Sequence, residues 1–196
     1  MKKTIALTRT AVIAALYAVL TLLLYPVSFG PIQCRVSEAL TILPLFYAEA
    51  VPGLTIGCFI ANCFSGGLDM LFGTLATLLA AVLTYIVRKI YWGVIPPVIC
   101  NAFIVPVIFL LAGDTADPYF INVLTVGAGE ALAVAVGGVA LYFAWRPLTK
   151  RHRFMAPTRL GDFRRIKTSA SALNSKEERP ADTAAAAEEH EDISQE

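Results

Sequence analysis

Six side chains in this sequence stand where hydrocarbon is expected. Arg35, Glu38, Asn62, Asp69, Asn101 and Glu130 interrupt a stretch from Ala11 to Ala144 that is otherwise almost continuously apolar. An ionisable group at bilayer depth costs at least about 2.5 kcal/mol, so such a residue faces a cavity or a partner and is a functional candidate by default. Two chemistries are open to the set. Carboxylates, a guanidinium and amides that line one pocket can hold a polar solute, whereas Glu38, Asp69 or Glu130 could also act as acid or base in an intramembrane enzyme.

Each residue also has a plainer reading. Arg35 and Glu38 are three apart and could form a local ion pair at a helix start, with the acid favoured by the helix dipole. Asp69, two residues after Gly67, fits a first-turn acid or N-cap. Asn62 and Asn101 suit hydrogen bonds between helices. Glu130 is hardest to explain this way, because Arg35 is the only cation in the outer half of the apolar stretch that could pair with it.

What is missing narrows the chemistry. The two histidines, His152 and His190, both lie in the polar tail, so the apolar region offers no histidine base and no histidine metal pair. Cys34, Cys58, Cys63 and Cys100 show no metal-type spacing and read as small packing residues. No Gly-xxxx-Gly-Lys-Ser/Thr loop occurs, which leaves the chain without that route to ATP. The expectation is a chain that is not an enzyme and carries no metal, cofactor or nucleic acid.

The elements that must position the six residues follow from hydropathy. The 196 residues are 57% hydrophobic, with a mean hydropathy of +0.65, too apolar for a soluble core. The net charge of +1 hides a partition, since between Thr10 and Trp145 the basic residues are Arg35, Arg88 and Lys89 alone. Measured against about 20 residues per crossing, the sequence predicts six spans. They are Thr8 to Tyr25, Ser37 to Tyr47, Leu54 to Phe64, Leu68 to Val87, Trp92 to Leu111 and Tyr119 to Trp145, separated by Pro26 and Gly30-Pro31, Pro52-Gly53, Gly66-Gly67 and the stretch 113–118. The reading is an all-α membrane protein, a six-transmembrane-helix bundle over residues 1–148. A tail, 149–196, is basic first and acidic last, with the composition of disorder towards its end.

Lys2, Lys3 and Arg9, then Arg88-Lys89, then Arg146 to Arg153 all fall on one side of a six-span layout. By the positive-inside rule both termini are cytoplasmic. A cleaved signal peptide is the rival reading of the N-terminus, but the apolar run exceeds a usual h-region. In this orientation Arg35, Glu38, Asn62 and Asp69 lie at outer span ends. Glu130, eleven residues past Tyr119, lies about 17 Å in, near mid-membrane. Together with Asn101 they could line a pocket opening outward, with Glu130 at its floor. In the first span Ala11, Ala14, Ala15 and Ala18 give an Ala-xxx-Ala face suited to close helix approach, inside the bundle or against a partner.

Longer words then matter. The run Arg35-Val36-Ser37-Glu38-Ala39-Leu40-Thr41-Ile42-Leu43-Pro44, preceded by Gly30-Pro31-Ile32-Gln33, resembles the signature of the QueT family of queuosine-precursor transporters. Val51-Pro52-Gly53-Leu54, Ala61-Asn62, the block from Gly67 to Leu78 and Gly127-Ala128-Gly129-Glu130-Ala131 resemble it too, in order along the whole apolar region. The resemblance implies a substrate-binding (S) subunit of an energy-coupling factor importer, with a six-helix S-component-like fold. Such a subunit captures its solute at the outer face of the bacterial plasma membrane and docks on a membrane T subunit joined to two ATPases, which bind the ATP. It gives Ala11 and Ala15 a docking role and gives the six polar residues a 7-deazaguanine precursor or queuine to bind. Glu38 or Glu130 would take the ligand's donor edge, and Asp69 a cationic aminomethyl group. An S subunit for another vitamin-like compound is the alternative. The long tail departs from the family pattern, and no transport role is expected of it.

Overall fold

The computed structural model describes residues 2–29, 34–87, 89–113 and 117–151. The tail from 152 onward, the Gly30 to Gln33 words, Arg88 and residues 114–116 lie outside the described residues, as do the expectations that rest on them. What is described is helical, joined by turns, as expected for an all-α membrane protein.

Helix α1, Lys2–Leu23, begins six residues before the expected span and gives way at Leu24 to a short helical turn, Tyr25–Ser28, opened by Pro26. Segment α2, Val36–Leu45, is a 3-10 helix of 10 residues. Two causes are visible. Pro44 lacks an N–H, and in an α-helix its ring would crowd the carbonyl of Leu40. The Thr41 hydroxyl, 2.5 Å from the Glu38 carbonyl, gives that carbonyl a side-chain partner. At about 2 Å per residue the segment reaches about 20 Å, short of the roughly 30 Å hydrocarbon core.

Helix α3, Ala50–Asn62, is 13 residues long and carries Pro52-Gly53 inside its first turn rather than ahead of it. Proline is tolerated there because a first-turn N–H has no intrahelical partner to lose. After the break at Gly66, whose φ of 148° suits glycine alone, α4 opens with a π-helical turn, Asp69–Gly73, and continues as Thr74–Val87. Segment α5 comprises Ile90–Gly93 and Ile95–Leu111, and α6 comprises Tyr119–Ala131, a π-helical stretch Leu132–Gly138, and Val139–Arg151.

Four of these six segments, α1, α4, α5 and α6, are long and apolar enough to cross a membrane. All six expected apolar segments are present among the described residues, and α2 and α3 are apolar but shorter than a full crossing. Their place in the bundle explains it. Eight of the ten α2 residues are buried, and α2 touches every other segment, so it is a central strut surrounded by the long helices. Gly53 and Gly57 let α3 lie directly against α1, where a Cβ at Gly57 would stand 2.6 Å from the Ala14 carbonyl oxygen. Outward, Leu7, Leu23, Leu71, Ile86, Phe120 and Leu124 are each more than 60% exposed, an apolar jacket suited to lipid rather than water.

The alternating run of the segments gathers two charged groups at opposite ends. At the end where the chain starts, Arg9 lies 3.7 Å from Glu49 and over the Tyr47 ring, whose hydroxyl accepts a hydrogen bond from Trp145 Nε1 at 2.9 Å. At the other end stands the group built around Arg35.

Candidate functional site

Arg35 precedes α2 as its N-cap residue and is 1% exposed. Its guanidinium lies over the Phe29 ring, 4.8 Å from the centroid, and its Nη2 is 3.8 Å from Asp69 Oδ1 at the start of α4. At that distance the pair attracts without a hydrogen bond. The local Arg35–Glu38 pair open to the sequence is therefore not the contact made. The link between these two residues is through the backbone, Glu38 N–H to Arg35 C=O at 2.9 Å, and Asp69 serves Arg35 rather than capping a helix.

The Glu38 carboxylate turns instead into the bundle. Its Oε1 accepts from the Tyr17 hydroxyl of α1 and from the Thr77 hydroxyl of α4 at 3.2 Å, while Oε2 has no partner. Two residues on one oxygen fix the carboxylate's plane and present the other oxygen bare. Asn101 of α5 and Glu130 of α6 are both buried, and Glu130 lies within electrostatic reach of Glu38 and Arg35 with Asn101 beside it. The Asn101 amide lies beside the carboxylates of both Glu38 and Glu130 without a well-aligned hydrogen bond to either, and Glu130 Oε2, both amide atoms of Asn101 and Arg35 Nε and Nη2 make no such bond among the described residues.

Asn62 closes the group on the α3 side. Its amide donates to the Asp69 carbonyl of α4 at 3.0 Å, the interhelical role open to it, and to Cys58 Sγ one turn back on its own helix at 3.2 Å, and its Oδ1 is left unpaired. A Cβ at Gly73 would sit 2.7 Å from Asn62 Nδ2 and 3.7 Å from Arg35 Nη1, so glycine at 73 is what lets the two side chains share this corner. Gly73→Ala forces Asn62 off its two partners, and a loss of about 1–3 kcal/mol follows from leaving such groups unmet. Thermal unfolding of the solubilised chain measures it.

The structure thus brings all six sequence-predicted residues into one connected cluster: Arg35, Glu38, Asn101 and Glu130 at its centre, Asn62 and Asp69 at its edge. Asp69 is the most exposed, its side chain 19% accessible. Neutral groups that the sequence does not single out complete it. Tyr17 and Thr77 hold Glu38. Cys58, expected only to pack, accepts from the Asn62 amide through its sulfur, which also lies 3.2 Å from the Thr77 hydroxyl oxygen. Thr21 of α1 reaches Ser37 of α2, hydroxyl to hydroxyl, at 2.7 Å. Both π-helical stretches border the site, one starting at Asp69 and one two residues after Glu130, the kind of helix irregularity that accumulates at functional sites.

Residues 7–147 match the model of the QueT transporter family, which is most of the chain and every segment described above. The chain belongs to the QueT transporter family. It is a transporter-family protein and not an enzyme, which sets aside the acid–base use of Glu38, Asp69 and Glu130. A curated relative, named queuosine precursor transporter QueT, from Lactococcus lactis subsp. cremoris (strain MG1363), is 42% identical over 79 residues. That match covers 39% of this chain and 47% of the relative, so it spans about half the relative's length. No solved structure matches the chain.

Proposed function

We propose that this QueT-family chain is the substrate-binding subunit of an energy-coupling factor importer, and that the Arg35–Glu38–Asn101–Glu130 cluster captures a queuosine precursor of the 7-deazaguanine class from the outer face. The observation that carries this reading is a set of buried polar atoms with no partner: Glu38 Oε2, Glu130 Oε2, both amide atoms of Asn101 and two guanidinium nitrogens of Arg35. A bundle does not keep that many unmet groups without use, since each costs about 1–3 kcal/mol. A guanine-like edge matches them, with N–H donors for the carboxylates and a carbonyl oxygen for Arg35 or Asn101.

In this reading both termini are cytoplasmic in the bacterial plasma membrane, and the Arg35 end faces outward. Energy comes from partners, a membrane T subunit and two ATPases. Ala11 and Ala15 form the docking face. The split of the alanine face supports that role: Ala14 and Ala18 are buried, whereas Ala11 and Ala15 are exposed on the far side of α1. The combined Ala11→Leu and Ala15→Leu exchange abolishes co-purification with the T subunit and leaves solute binding intact. Loss of both, or of neither, removes the docking assignment.

The substrate is tested by thermal-shift screening of the solubilised chain against 7-deazaguanine precursors, queuine, guanine, riboflavin and thiamine. Stabilisation by the deazapurines alone is the expected result. Stabilisation by riboflavin or thiamine instead assigns the cluster to a different vitamin-like solute.

A further inference from the structure

A second polar group stands at the end of the bundle where the chain starts, and solute capture gives it no role. Arg9 of α1 is buried, lies 3.7 Å from Glu49 and stands over the Tyr47 ring, 4.7 Å from its centroid. Glu49 is the N-cap residue of α3, yet its carboxylate does not cap that helix and turns to Arg9 instead. Beside it the Thr10 hydroxyl donates to the Glu49 carbonyl at 3.2 Å, and Trp145 of α6 donates to the Tyr47 hydroxyl. Further along α1, Tyr17 donates to Glu38 and Thr21 reaches Ser37. Arg9, Tyr17 and Thr21 thus share the buried side of α1, and each meets α2 or the turn that follows it. Elsewhere this side of α1 packs through small or apolar contacts, Ala14 against Gly57 and Ile13 against Gly53. Small residues let helices approach closely but give few directional contacts, whereas a polar group at one position fixes register.

Resting on the docking reading above, we infer that Arg9 is a positioning residue for the docking face of α1: its contacts with Glu49 and Tyr47 set the rotation of the first half of that helix and so decide which alanines face outward. The geometry is direct. At about 100° per residue, Ala11 stands about 200° round the helix from Arg9 and Ala15 about 240°. Both lie on the side turned away from the bundle, where they are exposed. Ala11 follows Arg9 by less than one turn, so a rotation fixed at Arg9 passes to it nearly unchanged. Arg9 itself is buried and acts on a partner only through the helix. The second half of α1 is keyed separately, by Tyr17 and Thr21, so loss of the Arg9 key leaves the polar cluster around Arg35 in place. Apolar side chains can fill the space of the pair, but they do not hold α1 to one rotation as a charge pair between two fixed points does.

The test is retention of a tagged membrane T subunit, co-expressed with the full chain and titrated in detergent, beside the thermal unfolding midpoint of the same preparations. In the double exchange Arg9→Met with Glu49→Leu the midpoint stays near that of the parent, because replacing both members of a buried pair by apolar side chains of similar volume is often neutral. Affinity for the T subunit nonetheless falls on the order of 10-fold, within the range for residues that touch neither side of a coupled pair. Arg9→Lys keeps a cation within reach of Glu49 and Tyr47, and with it most of the parent's affinity. A double variant that holds the T subunit as tightly as the parent overturns the positioning role while the docking reading stands. An Arg9→Lys chain that binds no better than the double variant overturns it too, since charge is then not the key, and a midpoint far below the parent's does so by making the pair structural alone. Failure of the parent chain to retain the T subunit overturns the docking reading itself, and the role of Arg9 with it.

Discussion

Arg35→Met removes solute binding altogether and lowers the stability of the solubilised chain by about 3–5 kcal/mol, the cost of breaking a buried charge set by taking away one partner. Arg35 is 1% exposed and faces Asp69, Glu38 and Glu130 together. Methionine fills most of its volume but leaves three acids with no cation, so the loss is electrostatic rather than a cavity. Arg35→Lys separates the two parts of the effect. It restores the charge, and with it part of the stability, yet not the planar fork that can address a carbonyl oxygen and a carboxylate at once, so binding stays weak. Thermal unfolding and calorimetry on the same preparations read both quantities, and an Arg35→Met chain as stable as the parent contradicts the account.

Gly57→Val is expected to be the most damaging exchange outside the cluster. A Cβ at this position meets the Ala14 carbonyl oxygen at 2.6 Å and the Tyr17 Cβ at 2.8 Å. Neither is the loose end of a flexible side chain, so α1 and α3 have to move apart. The loss lies at or above the upper end of the about 1–3 kcal/mol typical of overpacking. It also reaches the ligand site, because the helix that moves carries Tyr17, which holds Glu38, and Thr21, which holds Ser37. Solute affinity therefore falls although residue 57 touches no solute. Gly67→Ala is the control: a Cβ there meets nothing within 4 Å, and neither stability nor binding changes.

These two cases show where the sequence is legible and where it is not. Arg35, Glu38 and Glu130 are conspicuous because a charge in hydrocarbon is expensive and ordinary packing gives no reason for it. The convergence of all six polar residues follows from one layout of alternating segments. Tyr17 and Thr77 carry no such flag, since a tyrosine or a threonine in an apolar helix is commonplace, and only the fold reveals that both end on one carboxylate oxygen. Cys58 reads as packing because nothing in its neighbourhood in the sequence announces the Asn62 amide as a donor or brings the Thr77 hydroxyl beside its sulfur. Glu49 and its contact with Arg9 are overlooked for a related reason: Arg9 reads as a flanking charge, and its partner lies forty residues away in the turn between α2 and α3.

The helix boundaries show a second kind of gap. Hydropathy marks α2 as apolar but does not state its rise per residue. Its 3-10 geometry, with Pro44 and the Thr41 hydroxyl as its local causes, is what turns an expected span into a central strut. Pro52 misleads in the opposite direction, because a proline in the first turn of a helix looks in the sequence like a break before it. The π-helical stretches beside Asp69 and Glu130 leave no signature in periodicity, since a single widened turn shifts the apolar face only slightly.

The central claim is that the unpaired buried atoms of Arg35, Glu38, Asn101 and Glu130 are the solute's own partners. An experimental structure of the chain with a 7-deazaguanine precursor bound tests it most directly. The predicted result is a ligand within hydrogen-bonding distance of Glu38 Oε2, Glu130 Oε2 and the Asn101 amide, with Tyr17 and Thr77 still on Glu38 Oε1. A ligand held elsewhere, with these groups satisfied by one another or by water, contradicts it.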